Sequence, residues 1–250
     1  MKTICPKKPV LLILHRRESE PGAVGHYFRG NGVPLDVRRP RFGDPLPSSL
    51  EDHSGAIVFG GPMSANGSED FIRKEIDWLR VPLLEEKPLL GICLGAQMLA
   101  KHLGGTVHTH HAGRVEAGYE PISPRDEANS FGPWPSHVYH WHGEGFTLSR
   151  GAIPLAEGEV FPNQAFRFGR SAFGVQFHPE ITLAMIHRWT VRAAAKLTQP
   201  GAQHAADHVK GHLAYGTEFR AWTYRFLETW IEGGHTPEPM ETPLLAARSL

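Results

Sequence analysis

Apolar and polar positions follow two regimes along this chain. In the first, short unbroken apolar runs alternate with stretches whose apolar residues recur every three or four positions. The runs are Val10-Leu11-Leu12-Ile13-Leu14, Ala56-Ile57-Val58-Phe59 and Leu89-Leu90-Gly91-Ile92. Each is short and apolar on both faces, which predicts strands buried in a parallel sheet. Between them Ile72, Ile76 and Leu79 mark a helix, with Ser68 expected as its cap and Glu69 and Asp70 in its first turn. Residues 96–103 are strong helix formers and stop at Gly104-Gly105, a C-terminal cap signal. This alternation predicts an α/β fold of three layers, a mostly parallel central sheet flanked by helices.

The second regime runs from residue 106 to about residue 170. Gly and Pro cut it into short runs at 106–108, 146–148 and 165–168, expected as strands and hairpins around loops. Phe173-Gly174-Val175-Gln176-Phe177 then returns to the buried-strand pattern. Leu183, Ile186, Trp189, Ala193 and Leu197 form one helical stripe. Phe219, Trp222, Phe226 and Trp230 form a second, which covers either the core or a docking face such as a homodimer contact. No repeat or linker interrupts the chain. A single domain is expected over 1–235, with a core at about 10–195, a helical extension at about 200–233 and a Pro-rich tail at 236–250.

Composition narrows the class. Lys plus Arg and Asp plus Glu both count 26, a net charge of zero that gives no electrostatic ground for a nucleic-acid or membrane partner. The first apolar run is too short for a membrane span or a signal-peptide core. Two cysteines, Cys5 and Cys93, cannot build a disulfide framework, so a reduced, cytoplasmic setting is expected. Sixteen histidines raise the question of metal. His108, His110 and His111 cluster, but no set of further ligands stands beside them in sequence. They are expected to be a polar hairpin, and His137, His140 and His142 solvent-facing loop residues. No metal is expected.

One strand end carries nucleophile chemistry. Gly91-Ile92-Cys93-Leu94-Gly95 sits where a buried strand meets a helix. This is the G-x-nucleophile-x-G elbow with cysteine as the nucleophile, a strained turn whose glycines allow close backbone approach. The helix N-terminus beneath the sulfur favours thiolate, and its first amides can hold an oxyanion. Taken alone, the pattern also fits a small buried cysteine between packing glycines. A thiol nucleophile needs a base and a group to orient it. Gln176-Phe177-His178-Pro179-Glu180, at the end of another buried strand, offers His178 as base and Glu180 as its orienting carboxylate. Phe59-Gly60-Gly61-Pro62, past a third strand, offers backbone N–H groups.

Together, Gly60-Gly61-Pro62, Gly91-Ile92-Cys93-Leu94-Gly95-Ala96-Gln97 and Gln176-Phe177-His178-Pro179-Glu180 resemble the class I, triad-type glutamine amidotransferases, in the right order over about residues 10–195. The nearest flavour is the GMP-synthetase-like glutaminase domain. The resemblance implies a flavodoxin-like fold and attack by Cys93 on the side-chain amide of glutamine. His178 would then protonate the leaving ammonia, and water would hydrolyse a γ-glutamyl thioester. It further implies Glu180 as the group orienting His178, and the N–H groups of Gly61 and Leu94 as oxyanion hole. Gly60, Gln97, Trp141, His142 and Gly143 would be substrate-binding residues. No cofactor is implied. Trp141 departs from the family's small polar residue and suggests a bulkier γ-glutamyl substrate. No Walker-type loop is present and about 70 residues follow Glu180, too few for a synthetase domain, so an ammonia acceptor is expected on a separate subunit or not at all. Two other readings stay open: a free-standing γ-glutamyl peptidase acting on glutathione-like conjugates, and a non-catalytic regulator on the same fold.

Overall fold

A computed structural model describes residues 8–233. Cys5 and the expected tail at 236–250 lie outside the described residues. The strands are β1 (Val10–Ile13), β2 (Leu35–Arg38), β3 (Gly55–Val58), β4 (Leu89–Ile92), β5 (Val107–Thr109), β6 (Glu116–Pro121), β7 (Ser123–Pro124), β8 (His137–His142), β9 (Glu144–Phe146), β10 (Ala152–Glu157), β11 (Ala165–Phe168) and β12 (Ala172–Val175). The α-helices are α1 (Gly22–Gly30), α2 (Asp70–Trp78), α3 (Arg80–Leu84), α4 (Leu94–His102), α5 (Leu183–Arg192) and α6 (Ala205–Ile231).

The central sheet has the order β2-β1-β3-β4-β12-β11-β10-β7. The first five strands are parallel to one another, and the last three join antiparallel. Two antiparallel ribbons, β5 with β9 and β6 with β8, stand off the sheet. Side chains alternate along a strand, so the runs apolar on both faces feed two separate cores. Val10, Leu12 and Leu14 pack with Val24 and Phe28 of α1 and with Trp222 of α6. Leu11 and Ile13 pack on the other face with Ile72 of α2 and Leu99 of α4. This is the expected three-layer, mostly parallel α/β architecture.

The second aromatic stripe lies on α6 and covers this chain's own core. Phe219, Trp222, Phe226 and Trp230 are buried, and their rings meet Phe177, Phe173 and Phe28 edge to face. Burying each Phe contributes about 1.5–3 kcal/mol.

Several local expectations change. The cap of α2 is Glu69, extended and with no side-chain capping bond, because Ser68 falls one residue too early. The stripe from Leu183 to Leu197 is not one helix: α5 stops at Arg192, and a tighter 3-10 turn, Ala194–Thr198, follows. Thr190 Oγ1 donates back to the Ile186 carbonyl at 2.9 Å, a bond that bends helices, and Ala193 leaves the helical region. Leu183 is on the surface. The strand expected at 146–148 ends at Phe146. None of the helices is long and apolar enough to cross a membrane.

Candidate active site

Cys93 occupies the single residue between β4 and α4, at φ 51° and ψ −104°. Positive φ is costly for a residue with a Cβ, and it persists here because the surroundings enforce it. The Cys93 N–H donates to the Val175 carbonyl at 2.8 Å, which pins the turn to β12. A Cβ on Gly91 would meet the Gly95 carbonyl oxygen at 2.5 Å, and one on Gly95 would meet the Val58 oxygen at 2.0 Å. The elbow therefore requires both glycines.

His178 lies just beyond β12, where its N–H donates to the Tyr139 carbonyl at 2.8 Å. Its Nδ1 lies 2.8 Å from Glu180 Oε1, and both side chains are buried. Trp189 sets its ring edge to face against the imidazole at 5.0 Å. Nε2 is buried and has no hydrogen-bond partner among the described residues. A Cβ on Gly60 would meet His178 Cε1 at 2.8 Å and Cys93 Cβ at 3.4 Å, so all three positions converge on one point. Burial alone would lower the imidazole pKa. The negative charges of Glu180 and Cys93 outweigh it and lift His178 to about 10.

Sequence reasoning passed over the groups that brace the Gly-Gly-Pro loop. His15 follows β1 and its Nδ1 donates to the Gly60 carbonyl at 3.2 Å. His15 Nε2 lies 2.8 Å from Glu75 Oε2 of α2, and this pair is buried. In a trans peptide the C=O and the following N–H point in opposite directions. Holding the Gly60 carbonyl toward His15 thus turns the Gly61 N–H away from it. The signals were there: His15 directly follows an apolar run, and Glu75 falls on the apolar face of Ile72 and Leu79.

A cavity of about 430 Å³ opens over Cys93. Of the expected residues, Gly60, Gly61, Cys93, Gln97, Trp141, His142, Gly143, His178 and Glu180 line it. Leu94 does not; its side chain is in the core beneath α4, and only its backbone N–H, one of the helix's first unbonded amides, is available. Gln97 Nε2 donates to the Glu144 carbonyl at 3.0 Å and to Gln176 Oε1 at 3.3 Å, which leaves its own Oε1 uncommitted by those bonds. Ser64 Oγ donates to Glu144 Oε1 at 2.9 Å and ties the two walls together. Lys196, also unforeseen, points Nζ into the cavity and donates to the Trp141 carbonyl at 3.1 Å. Burial lowers its pKa, against the charges of Cys93 and Glu144.

The histidines divide differently from expectation. His108 and His111 are exposed, as a polar hairpin requires. His140 and His142 are not solvent-facing: they alternate on β8, so both turn to the same face and are buried there with Glu116 of β6. His142 Nε2 lies 2.9 Å from Glu116 Oε2, and His140 Nδ1 lies 3.1 Å from His142 Nε2. His142 Nδ1 donates to the Glu144 carbonyl at 2.9 Å, so both ring nitrogens are used within the protein.

A parallel sheet with a cysteine elbow and an imidazole–carboxylate pair at its carboxyl edge defines the class. The family pattern "Glutamine amidotransferase class-I" matches residues 22–189, and the chain belongs to that family. It is similar to the glutamine amidotransferase-like protein YfeJ of Salmonella typhimurium, at 28% identity over 86% of this chain and 91% of that one. It is also similar to the glutamine-hydrolyzing GMP synthase of Porphyromonas gingivalis, at 38% identity over 54% of this chain but only 26% of that longer enzyme. Among solved structures, a glutamine amidotransferase from Methylobacillus flagellatus superposes with a TM-score of 0.84, at 27% identity over 94% of this chain and 98% of that chain.

Proposed function

We propose that this protein is a glutaminase-type amidohydrolase using a Cys93–His178–Glu180 triad. The observation that carries the reading is the buried, unpartnered Nε2 of His178 beside Cys93, with Glu180 on the opposite ring nitrogen. Glu180 fixes the tautomer and orientation of the imidazole. His178 takes the thiol proton, and the Cys93 sulfur attacks the γ-carbonyl of glutamine. The oxyanion forms against the N–H groups of Gly61 and Leu94, the first aimed by the His15 bond to Gly60. His178 returns its proton to the departing nitrogen, ammonia leaves, and a γ-glutamyl thioester remains on Cys93. Water, deprotonated by His178, then releases glutamate.

Gln97 Oε1, the Gly143 backbone, Trp141 and Lys196 receive the amino-acid end of the substrate. Ammonia passes to a synthetase carried on another chain, as suits a protein that matches only a quarter of a GMP synthase. The test is ammonia release from glutamine with and without cell extract, beside Cys93→Ala. Turnover that needs the wild-type cysteine supports the reading; no turnover under either condition defeats it.

Trp141 and the cavity's size favour a second reading, a γ-glutamyl peptidase that uses the same triad on a larger substrate. Glutamate release from γ-glutamyl dipeptides or glutathione conjugates in preference to glutamine would establish it.

A further inference from the structure

The buried trio on the β6–β8 ribbon has a hydrogen-bonding deficit. His142 Nδ1 must carry a proton, because it faces the Glu144 carbonyl, which only accepts. A neutral His142 then presents a lone pair at Nε2. That lone pair faces Glu116 Oε2 at 2.9 Å, an oxygen that is also an acceptor. His140 Nδ1 stands 3.1 Å from His142 Nε2 and 3.5 Å from Glu116 Oε2. A neutral His140 supplies at most one proton to this junction. Three mutually close acceptor atoms in a dry site need a positive charge among them.

The geometry favours a metal ion as that charge. Zinc-class ions bind His nitrogen and carboxylate oxygen at about 2.0–2.2 Å, which separates neighbouring ligand atoms in a tetrahedron by about 3.3 Å. The three separations here, 2.9, 3.1 and 3.5 Å, straddle that value. A point about 2.05 Å from all three atoms lies roughly 0.9 Å off their plane, the position of an ion with a fourth corner to spare. Outer support is also built. The Glu144 carbonyl orients His142, and Gln164 Nε2 donates to Glu116 Oε2 at 2.8 Å. Partners of this kind set the tautomer and direction of metal ligands.

We propose that Glu116, His140 and His142 bind one zinc-class divalent ion that locks β6 to β8. Its role is structural. The locked segment leads into the Glu144 carbonyl, which also accepts from Gln97, so the ion fixes the outer wall of the cavity. The site is independent of the triad.

Metal content of the purified, tag-free protein, measured by mass spectrometry after chelation and zinc reloading, is the test. One equivalent per chain is expected in wild type and in Cys93→Ser, which removes the thiol as a competing ligand. Glu116→Gln and His140→Asn should each weaken zinc binding by at least about 100-fold, and Gln164→Ala by roughly 10–100-fold. Cobalt-loaded wild type should show the intense visible band of a tetrahedral ion, a readout that needs no variant to fold. Less than a tenth of an equivalent with no cobalt band overturns the proposal. So does zinc retained equally in Glu116→Gln and His140→Asn, which would place it on surface histidines instead.

Discussion

Gly60, Cys93 and His178 stand just beyond β3, β4 and β12, where neighbouring parallel strands hold them in register. Trp141, Gly143 and Glu144 come instead from the turn between β8 and β9, on antiparallel ribbons off the main sheet. The reacting groups thus sit on the rigid part of the fold, and the substrate wall on a part whose shape depends on side-chain bonds. In open α/β sheets, ligands sit outside the carboxyl ends of the strands. Changes at the sheet edge should therefore lower kcat, whereas changes in the ribbon wall should move KM or stability.

The largest effects belong to the sheet edge. Cys93→Ala is expected to abolish glutamine hydrolysis, and Glu180→Gln to lower kcat by roughly 10³–10⁴-fold by letting the imidazole take the wrong tautomer. Ammonia assays at saturating glutamine check both. A residual rate above a tenth of wild type in either variant would remove the triad from the mechanism.

Next comes the brace behind Gly60. His15→Phe removes the bond that turns the Gly61 N–H away from His15 and leaves Glu75 buried without its partner. A kcat loss of roughly 10²-fold is expected, the scale for loss of one oxyanion donor, with KM little changed. A change confined to KM would show that the Gly61 amide does not meet the reacting carbonyl.

In the wall, Lys196→Met should raise KM for glutamine about tenfold while sparing kcat, because it removes a cation from the cavity and leaves the triad untouched. A substrate amide without the α-carboxylate should lose its penalty relative to glutamine in this variant. An equal fall in kcat would place Lys196 with the reacting groups instead.

The smallest effects concern pH. Glu116 is held down to about 2: its own burial would raise it, but His140 and His142 prevail. Burial holds His140 down to about 3. Both pKa values are depressed on folding, so their contribution is present at neutral pH. It is lost as pH falls from 6.5 through about 3 for His140, and from 4.5 through about 2 for Glu116. His178 has the opposite sign: raised from 6.5 to about 10, it stabilises fully below 6.5 and less as pH climbs through 10. Thermal melts should thus decline at both extremes, and Glu116→Gln should flatten the acid limb only. An unchanged acid limb in that variant would separate the ribbon from acid unfolding.

The same division explains what could be read without the fold. β1, β3, β4 and β12 were legible because burial on both faces leaves continuous apolar runs, and the elbow because its spacing is local. β2 (Leu-Asp-Val-Arg) is a half-exposed edge strand with no such run, and α1 opens with Gly22-Ala23 and lacks a helix-capping side chain. The cluster of Glu116, His140 and His142 depends on cross-strand pairing between segments about 20 residues apart, so no single window contains it. Its one local trace is the alternation His140-Trp141-His142, two histidines on one strand face. Lys196 was hidden by the break in α5, which turns a surface position of a continuous helix into a cavity wall.

The central claim is that Cys93 carries the γ-glutamyl group. Protein mixed with isotopically labelled glutamine, quenched in acid within one turnover and digested, should yield the peptide bearing Cys93 with a labelled γ-glutamyl thioester. The adduct should be absent from Cys93→Ala and cleaved by hydroxylamine. Glutamine turnover with no adduct on Cys93, or with the label on another residue, would contradict the account.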